Sequence, residues 1–305
     1  MRHSLNTLTL TNAAGMVKTK EEARTLLSVP DLSIVTVGSI TLNPRPGNLG
    51  ETYYFDPESK TALNARGLPN PGLEETLRWL HAFREECNGA SKELCVSIAG
   101  TSPEEYGELT EALFSSVDIL EVNAGCPNVW GPDGRKPIAS YDPALLSCIL
   151  TEVRSMIRDK CRIGVKVSPV PDDLIPGLAG ILAHHPEVSM VVATNTMPDQ
   201  GGNRPDGSQA LAFREREGAE TKNVGGLSGS PLKAHGLRVV HGLRERLMHT
   251  DVRIIGCGGI FEGQDLVDYL DAGAHGVAIG TGFFESGPRI FSDVLAGAYE
   301  ILEAR

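Results

Sequence analysis

The chain has 305 residues, of which 41% are hydrophobic and 22% charged, and its formal net charge is −11. This composition is typical of a globular protein, and the length suits one α/β barrel. The acidic balance argues against nucleic acid and anionic membrane surfaces as partners, because binding to polyanions depends on Lys and Arg contacts to phosphate. A locally basic pocket for a small anion remains compatible with it.

The cysteines and histidines show no pattern of a metal site or a disulfide framework. The six cysteines form no CxxC pair, and no two histidines have metal-ligand spacing, so we assign no metal. Cys95 and Cys148 lie in apolar patterns and are expected in the core. The segment from Met1 to Thr11 lacks the apolar region of a signal peptide, and no apolar run has the length of a membrane span. We therefore expect a cytoplasmic protein.

Short apolar runs alternate with longer amphipathic segments along the chain. Runs of four to six residues bounded by Gly, Pro, Asn or Asp predict strands that are buried on both faces of a parallel sheet. Helix-start signals lie between them at Ser102-Pro103-Glu104-Glu105, a predicted capping box, and at Asp142-Pro143. The alternation predicts an α/β fold: a (β/α)8 TIM barrel that forms one domain over residues 1–305, with a doubly wound open sheet as the alternative. The predicted strands are Ser33–Val37, Leu94–Ala99, Val117–Val122, Ile163–Val167, Met190–Ala193, Val252–Gly256 and Gly276–Ile279, with Leu8–Ala14 as a weaker eighth.

Two polar, glycine-rich segments are too long to be simple connections. They are Asn43–Pro71 and Met197–Ser230, and each follows a predicted strand. Long ordered segments in a compact domain are usually functional. Because active sites of barrels lie at the carboxyl ends of the strands, we expect both segments to be long loops on that face.

Glycines cluster after the last two predicted strands, in Gly256-Cys257-Gly258-Gly259 and in Gly280-Thr281-Gly282. In barrels, the loops after strands seven and eight commonly bind phosphate, and glycine lets backbone N–H groups approach it. The alternative is that these glycines only form tight turns. A Rossmann-type GxGxxG after the first strand is absent from the sequence.

Polar residues follow the middle strands. Asn123-Ala124-Gly125-Cys126-Pro127-Asn128 brings carboxamides and a thiol to the barrel mouth, where a thiol can act as base or nucleophile. A buried cysteine in a turn is the other interpretation. Lys166 lies within an apolar strand, where it forms a Schiff base, faces an anionic cofactor, or is a structural lysine. Asn195-Thr196 ends the next strand in the same way.

Together these motifs resemble the class 1 dihydroorotate dehydrogenases along nearly the whole chain. The similar segments are Asn12-Ala13-Ala14-Gly15, Asn43-Pro44-Arg45-Pro46-Gly47-Asn48, Asn64-Ala65-Arg66-Gly67-Leu68-Pro69-Asn70, Val122 to Val129, Gly164-Val165-Lys166, Asn195-Thr196, Gly225-Gly226-Leu227-Ser228-Gly229 and the two last glycine turns. Each glycine turn is weak evidence alone, but with Cys-Pro-Asn and Gly-Leu-Pro-Asn they are strong. The stretch from Cys126 through Asp142 is more similar to the homodimeric, fumarate-using subclass than to the subclass with an iron–sulfur partner.

The resemblance implies FMN at the barrel mouth and oxidation of dihydroorotate to orotate in pyrimidine biosynthesis. Cys126 is the implied catalytic base, which takes a proton from a carbon next to a carbonyl while hydride passes from the neighbouring carbon to the flavin. The implied substrate-binding residues are Asn64, Arg66, Gly67, Leu68, Asn123, Asn128, Asn195 and Thr196. The implied cofactor-binding residues are Ala14, Gly15, Gly38, Ser39, Asn123, Lys166, Gly226, Ser228, Gly258, Gly259, Gly280 and Thr281. Fumarate as electron acceptor and a homodimer follow from the subclass.

One departure from the family concerns charge. The family normally carries a lysine where this chain has Gly38, and Arg66 occupies a position that is usually uncharged. We therefore hypothesise that Arg66 supplies the missing cation, or that the substrate is another dihydropyrimidine or cyclic amide. A flavin-free lyase that uses Lys166 and a non-catalytic flavin-binding barrel are further alternatives. Dihydrouridine synthases share the barrel and FMN, but they bind tRNA, which the acidic charge disfavours.

Overall fold

The computed structural model describes residues 8–126, 130–131, 134–135, 137–158 and 161–305. Its strands, numbered in chain order, are β1 Thr9–Asn12, β2 Ile34–Ile40, β3 Leu49–Glu51, β4 Tyr53–Asp56, β5 Thr61–Asn64, β6 Glu93–Ile98, β7 Ile119–Asn123, β8 Trp130–Gly131, β9 Gly134–Arg135, β10 Arg162–Val167, β11 Val188–Ala193, β12 Met197–Gln200, β13 Ala212–Arg214, β14 Gly225–Gly229, β15 Arg253–Cys257 and β16 Gly276–Ile279. Its α-helices are α1 Lys20–Leu27, α2 Gly72–Gly89, α3 Pro103–Leu113, α4 Pro143–Met156, α5 Ile175–His184, α6 Lys233–Leu247, α7 Gly263–Asp271, α8 Thr281–Ser286 and α9 Arg289–Glu303.

Eight parallel strands close into a barrel in the order β1-β16-β15-β11-β10-β7-β6-β2. The first and last strands close it, with Thr9 opposite Gly276 and Asn12 opposite Ile279. All eight predicted strands lie in this barrel, including the weak one at the start of the chain. The predicted TIM barrel is therefore confirmed, and closure rules out the open doubly wound sheet.

Alternate residues of the barrel strands face two different cores. Residues that point outward, such as Val35 and Val96, pack beneath the helices in the large apolar core. Residues that point inward form a separate cluster, which includes Cys95, Ile119 and Cys257. This alternation follows from the two-residue period of a strand, and it directs the last inward residue of each strand toward the barrel mouth.

Two helices begin where the sequence predicts. Asp142 caps α4 by accepting hydrogen bonds from Ala144 N and Leu145 N, each at 3.0 Å. Ser102 caps α3 by accepting from the backbone N–H of Glu105. The predicted return contact differs, because the Glu105 carboxylate accepts from the backbone N–H of Thr101 rather than from that of Ser102. Within the described ranges, none of the helices combines the length and the apolar character needed to cross a membrane.

The two segments predicted as long loops contain strands that pair with each other. An antiparallel sheet of order β12-β14-β5-β4 forms from them, and β13 pairs separately with β3. We call the first of these the small sheet. Within it, Asn64 of β5 lies opposite Gly226 of β14. This pairing joins residues that are far apart in the sequence, and it places the small sheet beside the carboxyl ends of the barrel strands.

Candidate active site

A cavity of about 670 Å³ lies between the barrel mouth and the small sheet. Most of the predicted site residues come from different strand ends and line this one cavity. Those residues are Ala14, Gly15, Ser39, Asn64, Arg66, Gly67, Leu68, Asn123, Cys126, Lys166, Asn195, Thr196, Ser228, Gly258, Gly259, Gly280 and Thr281. The volume is within the range of cavities that hold small molecules and cofactors.

Three predicted residues are not among those that line the cavity. Asn128 lies outside the described residues. Gly38 contributes its backbone, because its carbonyl accepts from Gly15 N at 2.7 Å. Gly226 is buried in β14, where an added Cβ would clash with the Thr196 hydroxyl. Both glycines therefore allow cavity-lining neighbours to approach closely.

A hydrogen-bonded chain of side chains orients two of the carboxamides. Asn123 Oδ1 accepts from Asn195 Nδ2 at 3.1 Å, and Asn123 Nδ2 donates to Ser39 Oγ at 2.8 Å. Ser39 Oγ in turn lies 2.9 Å from Ser97 Oγ, deeper in the barrel. Tyr106 holds the backbone of the same strand end, because its hydroxyl donates to the Asn123 carbonyl at 2.8 Å. The amides are thus held in one orientation before any ligand binds.

Another of the predicted carboxamides comes from the small sheet. Asn64 ends β5, and its Nδ2 donates to the Gly226 carbonyl at 3.3 Å. It therefore lines the cavity from the small sheet, whereas Asn123 and Asn195 line it from the barrel. Carboxamides that come from two layers can bind a planar ring that carries several amide groups, since each offers a donor and an acceptor.

Cys126 follows β7 and lines the cavity in a half-buried position. The preceding Gly125 fixes the turn, because its carbonyl accepts from Ser168 Oγ at 2.9 Å. An added Cβ at Gly125 would lie only 2.8 Å from Ser168 N, so the turn is packed against the end of β10. The thiol is therefore accessible from the cavity and is held by a rigid neighbour.

Lys166 points from β10 into the barrel mouth, where its ammonium donates to the Ala14 carbonyl at 3.3 Å. Burial raises the pKa of Glu121, on the neighbouring strand, and the charge of Lys166 acts in the opposite direction. One carboxylate oxygen of Glu121 has no hydrogen-bond partner among the described residues. Lys166 thus stands between a buried acidic group and the cavity, which explains how a lysine is tolerated in this strand.

Lys18 lines the same cavity, and sequence analysis did not identify it as a site residue. Its ammonium donates to the Ser39 carbonyl at 3.2 Å. Burial lowers the pKa of Lys18 to about 7; the charge of Cys126 raises it, and those of Lys166 and Arg66 lower it further. Its position just after the first strand, on the active face of the barrel, is the signal that could have identified it.

The wall near the last two strands consists mainly of backbone. Gly258 and Gly259 have φ angles of +126° and +67°, a region that side chains rarely adopt. The hydroxyl of Thr281 donates to that of Ser228 at 3.0 Å, and this contact joins the start of α8 to the small sheet. Backbone groups next to these two hydroxyls form a wall that suits a phosphate group.

Aromatic residues hold Arg66 on the side of the small sheet. Its guanidinium lies over the ring of Phe284, 4.6 Å from the centroid, and 5.4 Å from that of Tyr53. The Tyr53 hydroxyl donates to Glu285, and burial raises the pKa of Tyr53. Arg66 is therefore a positioned cation at the edge of the cavity.

Known proteins resemble this chain over most of its length. The dihydroorotate dehydrogenase family matches residues 6–302. A Methanocaldococcus jannaschii protein named "Dihydroorotate dehydrogenase B (NAD(+)), catalytic subunit" is 32% identical over 285 residues, which cover 92% of this chain and 85% of that protein. A Streptococcus agalactiae protein named "Putative dihydroorotate dehydrogenase A (fumarate)" is 30% identical over 296 residues, which cover 96% of this chain and 89% of that protein.

The fold has the same relatives. A crystal structure of DHODH in complex with ferulenol from Eimeria tenella superposes with a TM-score of 0.80 at 21% identity, covering 97% of this chain and 81% of that one. Relatives of the A and the B type match at nearly equal identity, so identity does not select between the subclasses. The family match is decisive: the chain belongs to the dihydroorotate dehydrogenase family of oxidoreductase enzymes.

Proposed function

We propose that this chain is an FMN-dependent oxidoreductase that converts dihydroorotate to orotate. The proposal rests on the set of residues that line one cavity. Cys126 lines it together with the carboxamides of Asn64, Asn123 and Asn195, and Lys166 reaches it from the barrel interior. A thiol base, amide-binding groups and a cation are what this reaction requires.

The residues present fit FMN. Gly258, Gly259, Gly280 and the hydroxyls of Ser228 and Thr281 would hold its phosphate, because this wall offers backbone N–H groups and small polar side chains. Lys166 would face the ring, where a positive charge favours the reduced, anionic form. When bound, FMN supplies the two-electron acceptor of the reaction.

The proposed substrate is a flat ring with amide edges and a carboxylate. The oriented carboxamides of Asn123 and Asn195 would bind the amide edges from the barrel, and Asn64 would bind them from the small sheet. Gly67 and Leu68 complete the wall beside Arg66. Asn128 stays a prediction, as do the direct cofactor contacts of Gly38 and Gly226.

Cys126 is proposed to act as the general base. As a thiolate it accepts the proton from the ring carbon next to a carbonyl, and a C=C bond forms as the neighbouring carbon loses hydride. Nearby positive charge favours a thiolate, and the charge of Cys126 raises the pKa of Lys18, which indicates that this cation is close to it.

Two further proposals concern partners. Fumarate is the proposed electron acceptor and a homodimer the proposed assembly, and both rest on the resemblance of the stretch that begins at Cys126. Reoxidation of the reduced protein by fumarate, compared with NAD⁺, tests the first proposal. Sedimentation of the purified protein tests the second.

A second candidate is oxidation or reduction of a ring without the carboxylate, such as dihydrouracil. Gly38 motivates it, because the cation that the family normally carries there is absent. Anaerobic addition of dihydroorotate and of dihydrouracil to the purified protein separates the two. We expect a visible flavin spectrum that dihydroorotate bleaches and dihydrouracil does not. A colourless protein, or one bleached only by dihydrouracil, would contradict the proposal.

A further inference from the structure

Lys18 is held in the cavity by two independent contacts. Its backbone N–H donates to Glu22 Oε2 at 2.7 Å, as part of the capping arrangement in which Thr19 begins α1. Its side chain then crosses to β2, where the ammonium donates to the Ser39 carbonyl at 3.2 Å. The helix start fixes the base of the side chain and Ser39 fixes its tip, so the position of the charge is defined.

The ammonium of Lys18 has hydrogen-bonding capacity to spare. An ammonium carries three N–H donors. Within the part of the chain that the structure describes, the Ser39 carbonyl is the acceptor recorded for it. The side chain remains accessible through the cavity, although protein surrounds it on its other sides. Two donors are therefore available to a ligand in the cavity.

The charges that line the cavity are not balanced. Lys18, Arg66 and Lys166 are cations, whereas Glu22 is the carboxylate among the lining residues. The Glu22 carboxylate accepts from the backbone N–H groups of Lys18 and Thr19 and is thus committed to the start of α1. A cavity with this excess of positive charge, in a chain of net charge −11, is suited to an anionic ligand.

The neighbouring backbone leaves no room for a cation on β2 itself. Gly38 has a φ angle of +110°, and an added Cβ would clash with the Ser97 carbonyl. A side chain at this position is therefore disfavoured in this chain. Lys18 brings an ammonium to the adjacent residue, Ser39, from a different strand end.

We infer that Lys18 supplies the cation that is absent at Gly38, and that it binds the negative charge of the ligand beside Cys126 and so selects a carboxylate-bearing ring over its neutral counterpart. The inference rests on the proposed function only where it names that ring. Lys18 lies between β1 and α1, and from there it supplies an ammonium in place of the one that the family carries on the second strand. Arg66 would then act from the small sheet and Lys18 from the barrel.

Alkylation of Cys126 tests this inference without substrate or cofactor turnover. The Cys126 thiolate attacks the CH2 carbon of either iodoacetate or iodoacetamide, so that an S–C bond forms and iodide leaves, but only iodoacetate carries a carboxylate. We take the ratio of the iodoacetate rate to the iodoacetamide rate at Cys126, measured by peptide mass spectrometry. Because both reagents react with the thiolate, this ratio does not depend on the ionisation of the thiol. It therefore reports how strongly the cavity attracts an anion.

We expect Lys18→Met to lower this ratio by about fivefold at pH 6.5. Lys18→Arg should retain it, and Lys20→Met, a nearby lysine that pairs with Glu86 instead, should leave it unchanged. The ratio at the exposed Cys148 is the internal control. In the wild type the ratio should fall between pH 6 and 9, as Lys18 loses its proton.

An equal Cys126 ratio in wild type and Lys18→Met would overturn the inference, even if dihydroorotate proves to be the substrate. If dihydroorotate fails to bleach the protein but the ratio falls in Lys18→Met, the proposed function fails and the inference stands.

Discussion

Asn195 Nδ2 donates to Asn123 Oδ1 across 3.1 Å, and this contact joins the ends of β11 and β7 at the floor of the cavity. Asn123 Nδ2 in turn donates to Ser39 Oγ. Because each amide fixes the donor and acceptor directions of the next, these side chains act as one unit. A ligand that binds them finds groups that are already oriented, which reduces the entropy lost on binding.

This coupling predicts non-additive effects on binding. Asn123→Ala and Asn195→Ala should each weaken orotate binding about tenfold, because each leaves buried polar groups without partners. The double variant should bind only slightly more weakly than either single one, since the second substitution removes a contact that is already lost. Titration calorimetry on the four proteins gives the coupling directly. Fully additive losses would show that the two amides act independently.

Arg66 is expected to contribute charge from the small sheet. Arg66→Ala should weaken dihydroorotate binding about fivefold, and Arg66→Lys should recover only part of it, because lysine lacks the flat guanidinium that lies on Phe284. Arg204→Ala is the matched control: Arg204 also lies over a ring of the small sheet, that of Tyr54, but it does not line the cavity. Equal affinity in wild type and Arg66→Ala would rule out the anchor role.

The buried ammonium of Lys18 should lower the free energy of unfolding at low pH. Its pKa is lowered from 10.5 to about 7 on folding, so the folded state binds fewer protons than the unfolded chain between these values. The cost of burying the charged form is complete below pH 7, and it disappears as the pH rises toward 10.5. Lys18→Met should therefore raise Tm by about 3 °C at pH 6 and hardly at pH 10. Differential scanning calorimetry checks this, with Lys20→Met as control; a Lys18→Met protein that melts at or below the wild-type temperature at pH 6 would refute it.

Gly38 should not tolerate a side chain. Gly38→Ala combines a φ angle of +110° with a clash against Ser97, and we expect it to lower the free energy of unfolding by about 3 kcal/mol. Gly207→Ala is the matched control, since Gly207 has a φ of +84° but nothing within 4 Å of an added Cβ. It should cost about 1 kcal/mol. Urea denaturation measures both. Similar losses in the two variants would mean that Ser97 does not restrict Gly38.

The barrel could be predicted from sequence because its strands are short, continuous apolar runs separated by helix-start signals such as Asp142. The small sheet could not be predicted, since its strands are short and glycine-rich, and its pairing joins Asn64 to the distant Gly226. Periodicity also misplaced one cysteine. Cys95 is buried inside the barrel as predicted, but Cys148 is exposed, because the buried face of α4 is formed by neighbours such as Ile149.

Contacts between distant parts of the chain also limited what could be predicted about the site. The positions of Asn123 and Cys126 at the cavity could be predicted because Asn123 ends β7 and Cys126 lies just after it, and the carboxyl ends of all barrel strands meet at one face. Lys18 also follows a barrel strand, but its sequence neighbours indicate the polar start of a helix, and the sequence alone does not show that its side chain turns toward the cavity. Only the folded chain brings its ammonium to Ser39.

We propose Cys126 as the base of a flavin-dependent oxidation. The most direct test is the rate at which dihydroorotate bleaches the bound flavin, followed by anaerobic stopped-flow spectroscopy in wild type, Cys126→Ser and Cys148→Ser. We predict a loss of roughly 10²- to 10³-fold in Cys126→Ser at pH 7.5, because serine is a far weaker base than a thiolate, and no change in Cys148→Ser. A Cys126→Ser protein that bleaches as fast as the wild type would contradict the account.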